Sequence, residues 1–258
     1  PTLIDILSFC DFIAIVPIHN VIFDNVTLNS GMLRIVLSSL ATSTTLEKIG
    51  LRNVVISQSD WPFFCKFLFK NESLTKLDIS QTKTKSDLSL KDYREHMDWD
   101  LLTDVIKLRK GKPLEELLLN GIKLIHIPLS QFQNLLTVLG EKYRQPYLEA
   151  SSLSVTSLNG LQFNGSDNMG IRLGLAATEI TENYLVTVLD WMSCYSVQGV
   201  DFSFNNLDPF LRIFAKKFSS LPFDNLQYFT LNNANISNVT DLALLLKYLS
   251  RLPNVKYL

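Results

Sequence analysis

Apolar residues recur along the chain in a short pattern that returns about every 28 residues. Residues 197–207 carry apolar side chains at the first, fourth, sixth and eleventh positions of this pattern, and so do residues 114–124 and 226–236. Alternation between the fourth and sixth positions predicts a short strand with one buried face, so the third, fifth, seventh and eighth positions point outward. Asn205 fills the ninth position. Its side-chain amide is expected to form hydrogen bonds with backbone groups where the chain turns away from the strand.

The spacing of the fourth-position residues indicates a true repeat. These residues are Val21, Ile49, Leu77, Leu117, Ser151, Leu173, Val200, Phe229 and Leu258. Five of the eight intervals between them span 27 to 29 residues, a regularity that chance leucine-rich windows would not keep. The pattern is weakest around Ser151 and Leu173. The sequence therefore predicts an array of about eight repeats.

Helical periods fill the intervals between the predicted strands. Asp208 followed by Pro209 is typical of a helix start, and Asp60, Thr181 and Thr240 precede other apolar helical periods. The predicted helices are residues 63–69, 184–192, 208–218 and 242–249, with others near 31–40, 99–108 and 129–139. Each strand–helix unit is half-buried alone, so the core closes only when repeats stack on one another.

A unit of 28–29 residues with one strand and one true helix resembles the leucine-rich-repeat superfamily and looks like its ribonuclease-inhibitor-like subclass. The resemblance covers roughly residues 18–258. It implies an α/β solenoid, a curved arc of about eight repeats with parallel strands on the concave face and helices on the convex face. It also implies recognition of a protein surface by the concave face, its rims or its loops, although a fold alone identifies no partner.

We expect residues 1–258 to form a single leucine-rich-repeat domain in which residues 1–17 are an N-terminal helical cap or partial repeat. The interval between the third and fourth repeats is about a dozen residues longer than the norm, which predicts an insertion at residues 83–100. The chain starts at Pro1, and its last residues look like the opening of another repeat. We therefore expect a fragment of a longer protein.

Composition narrows the class of partner. The 24 basic and 25 acidic residues give a formal net charge of −1, which argues against nucleic acid because such binding needs a concentrated basic face. Charged residues interrupt the most apolar stretches, so no membrane span is predicted.

Cys10, Cys65 and Cys194 are far apart and form no CxxC pair. We therefore expect reduced thiols in an intracellular protein, cytoplasmic or nuclear.

The sequence offers no motif that indicates catalysis. Its ten glycines are not clustered, so no phosphate-binding loop is predicted. His96, Asp98 and Asp100 lie close together in the sequence, but their spacing matches no metal-binding loop. We therefore predict that the protein is not an enzyme and has no catalytic residue, no metal and no cofactor.

The outward strand positions form the predicted partner-binding surface. Phe204 and Tyr228 are the preferred anchors, because outward aromatic residues on adjacent strands are typical of interface hot spots. The alternative is that Phe204 folds into the turn core and that Tyr228 is an ordinary strand residue. The polar residues expected to accompany them on this face are Asp201, Asn232, Arg52 and Lys76.

The charged insertion is a second candidate contact region, because insertions in repeat arrays often touch the partner. Tyr93 and Trp99 are its candidate contact residues. The alternative is a solvated loop in which Trp99 packs at the start of the next helix.

The function favoured by these features is a protein-binding scaffold or adaptor that recognises another protein through the concave face and the insertion at residues 83–100. The resemblance also implies an alternative: a regulator of a GTPase, similar to the Ran activator, or of a phosphatase or an actin-associated partner. A weaker alternative is an extracellular receptor segment. The absence of cysteine-rich caps opposes it, and it is favoured only by glycosylation triplets at Asn25, Asn71, Asn164, Asn235 and Asn238.

Overall fold

In the computed structural model, one open parallel sheet runs the length of an array of helices, described over residues 1–83, 89–152 and 170–258. Within these residues the strands are β1 (Asn20–Asp24), β2 (Lys48–Arg52), β3 (Lys76–Asp78), β4 (Glu116–Leu118), β5 (Ile171–Gly174), β6 (Val197–Asp201) and β7 (Tyr228–Thr230). Each strand pairs in parallel with the next one in the chain. Parallel pairing of successive strands needs a crossover, which a helix supplies in each repeat.

The helices stack in chain order beside the sheet, each packing against the next. They are α1 (Leu3–Ile15), α2 (Ser30–Leu40), α3 (Trp61–Lys70), α4 (Trp99–Leu108), α5 (Leu129–Ser152), α6 (Glu182–Cys194), α7 (Leu211–Ser220) and α8 (Val239–Leu249). In the described part of the chain, no helix is both long and apolar enough to cross a membrane. The predicted α/β leucine-rich-repeat solenoid is confirmed, and α1 lies in the segment predicted as a cap or partial repeat.

The register predicted from the apolar pattern is confirmed along the sheet. Seven fourth-position residues are buried and face one another from strand to strand: Val21, Ile49, Leu77, Leu117, Leu173, Val200 and Phe229. A parallel bridge between Tyr228 and Tyr257 puts Leu258 at the level of Phe229, where the pattern predicts the next repeat.

The strand predicted near Ser151 is wrong, because Ser151 lies in α5 and β4 pairs directly with β5. Buried residues at helical spacing from Phe132 to Tyr143 carry this helix past its predicted end at residue 139. The remainder of the weak pattern falls in residues 153–169, outside the described residues.

Two acidic residues predicted to start helices connect neighbouring repeats. Asp60 precedes α3, and its Oδ1 accepts hydrogen bonds from Ser30 Oγ and Arg34 Nε of the preceding repeat, both at 2.7 Å. Asp208 begins a 3₁₀ turn before α7, and its Oδ1 accepts the backbone N–H of Asn238 in the following repeat at 2.7 Å. Each carboxylate therefore satisfies donors of an adjacent repeat and stabilises stacking.

The predicted insertion at residues 83–100 is described except for residues 84–88. Two 3₁₀ turns, the second at Arg94–His96, lead into α4. Arg94 Nη2 donates to the Val54 carbonyl at 2.5 Å, whereas no described residue accepts a hydrogen bond from its Nε or Nη1. Burial lowers the pKa of Arg94 to about 10. This part of the insertion therefore packs against the second repeat.

Candidate partner-binding surface

The third-position side chains line up across the concave face in what we call the third-position row. In sheet order the row contains Asn20, Lys48, Lys76, Glu116, Arg172, Gly199, Tyr228 and Tyr257, each paired with the next. Neighbouring strands in a sheet lie about 4.8 Å apart. Residues distant in the sequence therefore form one continuous surface.

The ion pairs of this row centre on Glu116, whose side chain is 10% exposed. Lys48 Nζ lies 2.5 Å from Glu116 Oε1, although Lys76 occupies the strand between them. Arg172 Nη2 lies 3.8 Å from Glu116 Oε2. Among the described residues Lys76 has no ion-pair partner. The row therefore carries three cations and one carboxylate.

Arg52, a predicted contact residue, is held in place by Asp78. Its Nε donates to Asp78 Oδ2, and this hydrogen bond raises the pKa of Arg52. The Asp78 side chain is buried, and its Oδ1 also accepts the backbone N–H of Ser80 at 3.1 Å. A partner would have to compete with a buried carboxylate for the Arg52 guanidinium, so Arg52 is a weaker candidate contact than Lys76.

Two tyrosine rings close the C-terminal end of the third-position row. Tyr228 and Tyr257 are stacked, with centroids 4.9 Å apart and ring planes within 1°. Gly199 is buried beside them, and a Cβ atom added there would lie 3.0 Å from Tyr228 Cβ and 3.5 Å from Arg172 Cγ. Tyr228 is half-buried and Tyr257 is exposed. The side chain of Tyr228 and the aliphatic stem of Arg172 therefore pack directly over Gly199.

Phe204 occupies the eighth position of its repeat, at the end of the strand region. Its φ is +59° and it is 61% exposed. Residues with positive φ at the same position of other repeats are Asn25, Asn53, Gly121, Ala177 and Asn233. Left-handed backbone is uncommon for a bulky residue and is favoured by Gly and Asn. The alternative in which Phe204 folds into the turn core is wrong, because its ring lies in solvent.

The structure does not bring the two preferred anchors together. Tyr228 pairs with Gly199 in β6, and the chain runs on the order of 15 Å further along the strand direction before it reaches Phe204. The Phe204 N–H donates to the Asn232 carbonyl at 2.9 Å, so Phe204 and the exposed Asn232 share one rim. Asp201 lies half-buried between these ends, with its carboxylate bonded to the backbone of the following turn.

Trp99 is not available to a partner, and its prediction as a contact residue is wrong. It is 1% exposed at the start of α4, with its ring centroid 6.1 Å from that of Trp61. Its indole N–H donates to the Arg94 carbonyl at 3.1 Å. Burial of the large Trp99 ring against α3 stabilises the fold more than an exposed ring would. Tyr93 is half-buried at the surface of the insertion.

Sequence reasoning selected only Lys76 and Tyr228 from the third-position row, and it missed the charged members Lys48, Glu116 and Arg172. Glu116 and Arg172 point outward in the predicted register, but their roles depend on partners 68 and 56 residues away in the chain, Lys48 and Glu116 respectively. A charge count restricted to the third positions would have found them. The ring of His126 lies 5.6 Å from that of His96. No set of three or more metal-binding side chains occurs in the described residues.

The whole chain matches known proteins. A family model described as the MHP1/HER1/GIP3 LRR domain matches residues 1–258. The chain is 48% identical over 258 residues to HMG2-induced ER-remodeling protein 1 of Saccharomyces cerevisiae, which is 100% of this chain and 19% of that protein. It is 30% identical over 232 residues to MAP-homologous protein 1 of the same yeast, 83% of this chain and 14% of that protein. The chain thus spans less than a fifth of the length of these relatives.

Proposed function

The chain belongs to the MHP1/HER1/GIP3 LRR domain family, and from that premise we propose that it is a protein-binding scaffold that recognises its partner through the concave strand face and the adjacent rim. It acts by binding and not by catalysis. The true helix in each repeat supports a place near the ribonuclease-inhibitor-like subclass of leucine-rich repeats. The identity to HMG2-induced ER-remodeling protein 1 supports a role in ER remodeling. We propose a cytoplasmic or nuclear location because the three cysteines are far apart in the sequence and form no CxxC pair.

The observation that carries this proposal is the conformation of Phe204. A bulky residue in left-handed backbone costs roughly 1–2 kcal/mol, and an exposed ring recovers little of that cost by burial. The other repeats that have a positive φ at this position place Asn, Gly or Ala there. Backbone strain that contributes nothing to the core is typical of functional sites, and an exposed aromatic side chain is the preferred anchor of protein interfaces.

The composition of the concave face supports a protein partner. The third-position row carries three cations, one carboxylate and two adjacent tyrosines, and mixed charge with aromatic residues is typical of protein–protein recognition. The exposed amide of Asn232 lies beside Phe204 and can bond a peptide backbone.

The test is affinity capture from the source cell with three forms of the chain. Phe204→Ala removes the strained ring, and Phe69→Ala removes a ring that is 47% exposed at the end of α3 and serves as the matched control. We expect a stoichiometric partner to be lost with Phe204→Ala and retained with Phe69→Ala. Loss with Phe69→Ala alone would move the site to the helix face and contradict the proposal.

A further inference from the structure

We propose that the ends of α3 and α4 form a second binding surface, which lies flat on an anionic lipid bilayer. We call this surface the lysine patch, and it consists of Lys66, Phe69, Lys70, Lys107, Leu108, Lys110 and Lys112, all of which are exposed. The patch lies on the helix side of the array, at the rim where the helices end and the strands begin. It is therefore separate from the concave face, and the inference goes beyond the proposed protein-binding function.

The helices α3 and α4 present their last turns at the same level. Each helix has ten residues and begins with a tryptophan, and the ring centroids of Trp61 and Trp99 lie 6.1 Å apart. Packed helices lie about 8–10 Å apart. The last turn of α3, which carries Phe69, therefore lies beside the last turn of α4, which carries Leu108.

A buried arginine fastens the loop after α4 to the loop after α3. Arg109 Nη2 donates to the carbonyl groups of Asn71 and Leu74 at 2.7 and 3.0 Å, and its Nη1 donates to the Lys112 carbonyl at 2.9 Å. Lys110 and Lys112 lie in this fastened loop with their side chains exposed. Their backbone is ordered before any ligand arrives, which lowers the entropic cost of binding.

Cations outnumber carboxylates in this region. Residues 66–72 and 104–115 contain the five lysines of the patch and Arg109, but only three carboxylates, those of Glu72, Asp104 and Glu115. Among the described residues, none of the five lysines has an ion-pair partner. Anionic headgroups attract lysines that lie close to the bilayer surface, so the charge of the patch is complementary to such a surface.

Two apolar side chains protrude among these lysines. Phe69 is 47% exposed and Leu108 is 65% exposed. A single exposed apolar residue needs no explanation, but these two lie on neighbouring helix ends and each is adjacent in sequence to a lysine, Lys70 and Lys107 respectively. Lysines beside aromatic and aliphatic side chains are typical of surfaces that rest in the headgroup region of a bilayer.

The type of cation favours a bilayer over a protein or nucleic acid. Every exposed cation of the patch is a lysine, whereas Arg109 is turned inward. Lysine is depleted in protein interfaces, and arginine is the residue that binds carboxylates and phosphates through two hydrogen bonds. A lysine stem can lie along apolar surface while its ammonium group stays at the headgroups.

Stabilisation of the helices does not account for the whole patch. Lys70 and Lys107 lie in the last turns of their helices, where a cation interacts favourably with the helix dipole. Lys110 and Lys112 lie beyond the end of α4, and the exposed side chain of Leu108 contributes little to the core. These three residues are therefore available to a ligand.

The test is co-sedimentation of the chain with vesicles. One set is phosphatidylcholine alone, and the other contains about 30 mol% phosphatidylserine. We expect the chain to sediment with the phosphatidylserine vesicles and not with phosphatidylcholine, and its binding to weaken as salt rises. Equal sedimentation with both sets, or with neither, would overturn the inference. Tighter binding to a single-stranded oligonucleotide than to the phosphatidylserine vesicles would also overturn it.

Variants of the patch separate a local effect from a change in net charge. Lys110→Gln with Lys112→Gln should weaken vesicle binding roughly tenfold. The matched pair Lys83→Gln with Lys91→Gln removes the same charge from exposed sites on the opposite rim and should leave binding unchanged. Leu108→Trp should strengthen binding about threefold, because tryptophan favours the headgroup region. A folding defect does not produce stronger binding, so no effect or a loss with Leu108→Trp contradicts the inference.

The lipid surface and the protein-binding surface are tested independently. Phe204→Ala lies on the opposite rim, so it should abolish protein capture and leave vesicle binding unchanged. The Lys110→Gln and Lys112→Gln pair should do the reverse. Protein capture is carried out from detergent extract, where no bilayer remains, so that lipid contacts of Phe69 do not affect it. Loss of vesicle binding with Phe204→Ala but not with the lysine pair would place the lipid contact elsewhere and overturn the inference.

Discussion

The side chain of Asn205 and the backbone of Thr178 join two successive repeats through a buried hydrogen bond. The Thr178 N–H donates to Asn205 Oδ1 at 3.0 Å, and Asn205 Nδ2 donates to the carbonyls of Leu175 and Phe202 at 2.8 and 3.0 Å. The single side-chain amide of Asn205 thus forms hydrogen bonds with backbone N–H and carbonyl groups that lose their sheet partners at the turn. Water cannot replace it, because Asn205 and its partners lie in the buried seam between two repeats.

Replacing Asn205 by Leu should lower the free energy of unfolding by about 2–4 kcal/mol, because Leu keeps the branched shape of the side chain but leaves several buried backbone groups without partners. The exposed neighbour Asn206 is the control, and Asn206→Ala should change stability by less than about 0.5 kcal/mol. Urea unfolding followed by circular dichroism measures both. Equal stabilities of the two variants would show that the buried amide contributes nothing.

Phe204→Asn should raise the free energy of unfolding by about 1 kcal/mol, because Asn tolerates left-handed backbone that Phe does not. The same variant should lose the captured partner. The reciprocal change, Asn233→Phe, places a bulky residue at φ +50° and should destabilise by a similar amount. Opposite effects on stability and on binding would identify Phe204 as a binding residue, and a stability loss with Phe204→Asn would contradict the strain argument.

Leu117→Ala should lower the free energy of unfolding by about 3–4 kcal/mol, because Leu117 is fully buried between the strands that carry Leu77 and Leu173. Leu231→Ala should cost less than half of that, because Leu231 is only half-buried and packs at the margin of the core. Thermal and urea unfolding test the difference. Equal costs would mean that the C-terminal repeat is as tightly packed as the centre of the array.

Asp60→Asn should reduce the dependence of stability on acid pH. Burial acts to raise the pKa of Asp60, but hydrogen bonds from Ser30, Ser57 and Arg34 together hold it below its usual value of 3.8. The depressed pKa means that the stabilisation is present above about pH 4 and is lost as pH falls through the folded-state pKa. The destabilisation caused by Asp60→Asn should therefore be largest near neutral pH and shrink towards pH 2. Asp11→Asn, at an exposed site on α1, is the control.

The fold could be predicted from the sequence because its determinants are local and periodic. Seven fourth-position residues sit in the predicted register, since each apolar pair at positions four and six must face the core. The prediction failed at Ser151, where a helical period runs on through a segment that also fits a loose strand pattern. A short apolar run cannot by itself distinguish these two periods.

The candidate site was only partly predictable, because side-chain contacts between repeats are not encoded in local spacing. Phe204 could be identified as outward-facing, but its strained backbone could not. Trp99 reads equally well as an exposed contact or a buried helix start, and only the packing against Trp61 decides between them. The Lys48–Glu116 ion pair passes over Lys76. The alternation of apolar and polar residues within each strand does not predict an ion pair across an intervening strand.

The Lys48–Glu116 ion pair also has a mechanical consequence. It ties β2 to β4 on the inner side of the arc, so it spans two strand intervals instead of one. In a solenoid whose repeats contact only their neighbours, bending is spread over many weak hinges, and a tie of this length stiffens two hinges at once. A ligand carboxylate that draws Lys48 away from Glu116 would release that tie. The bending stiffness of the array would then depend on the ligand that is bound to it.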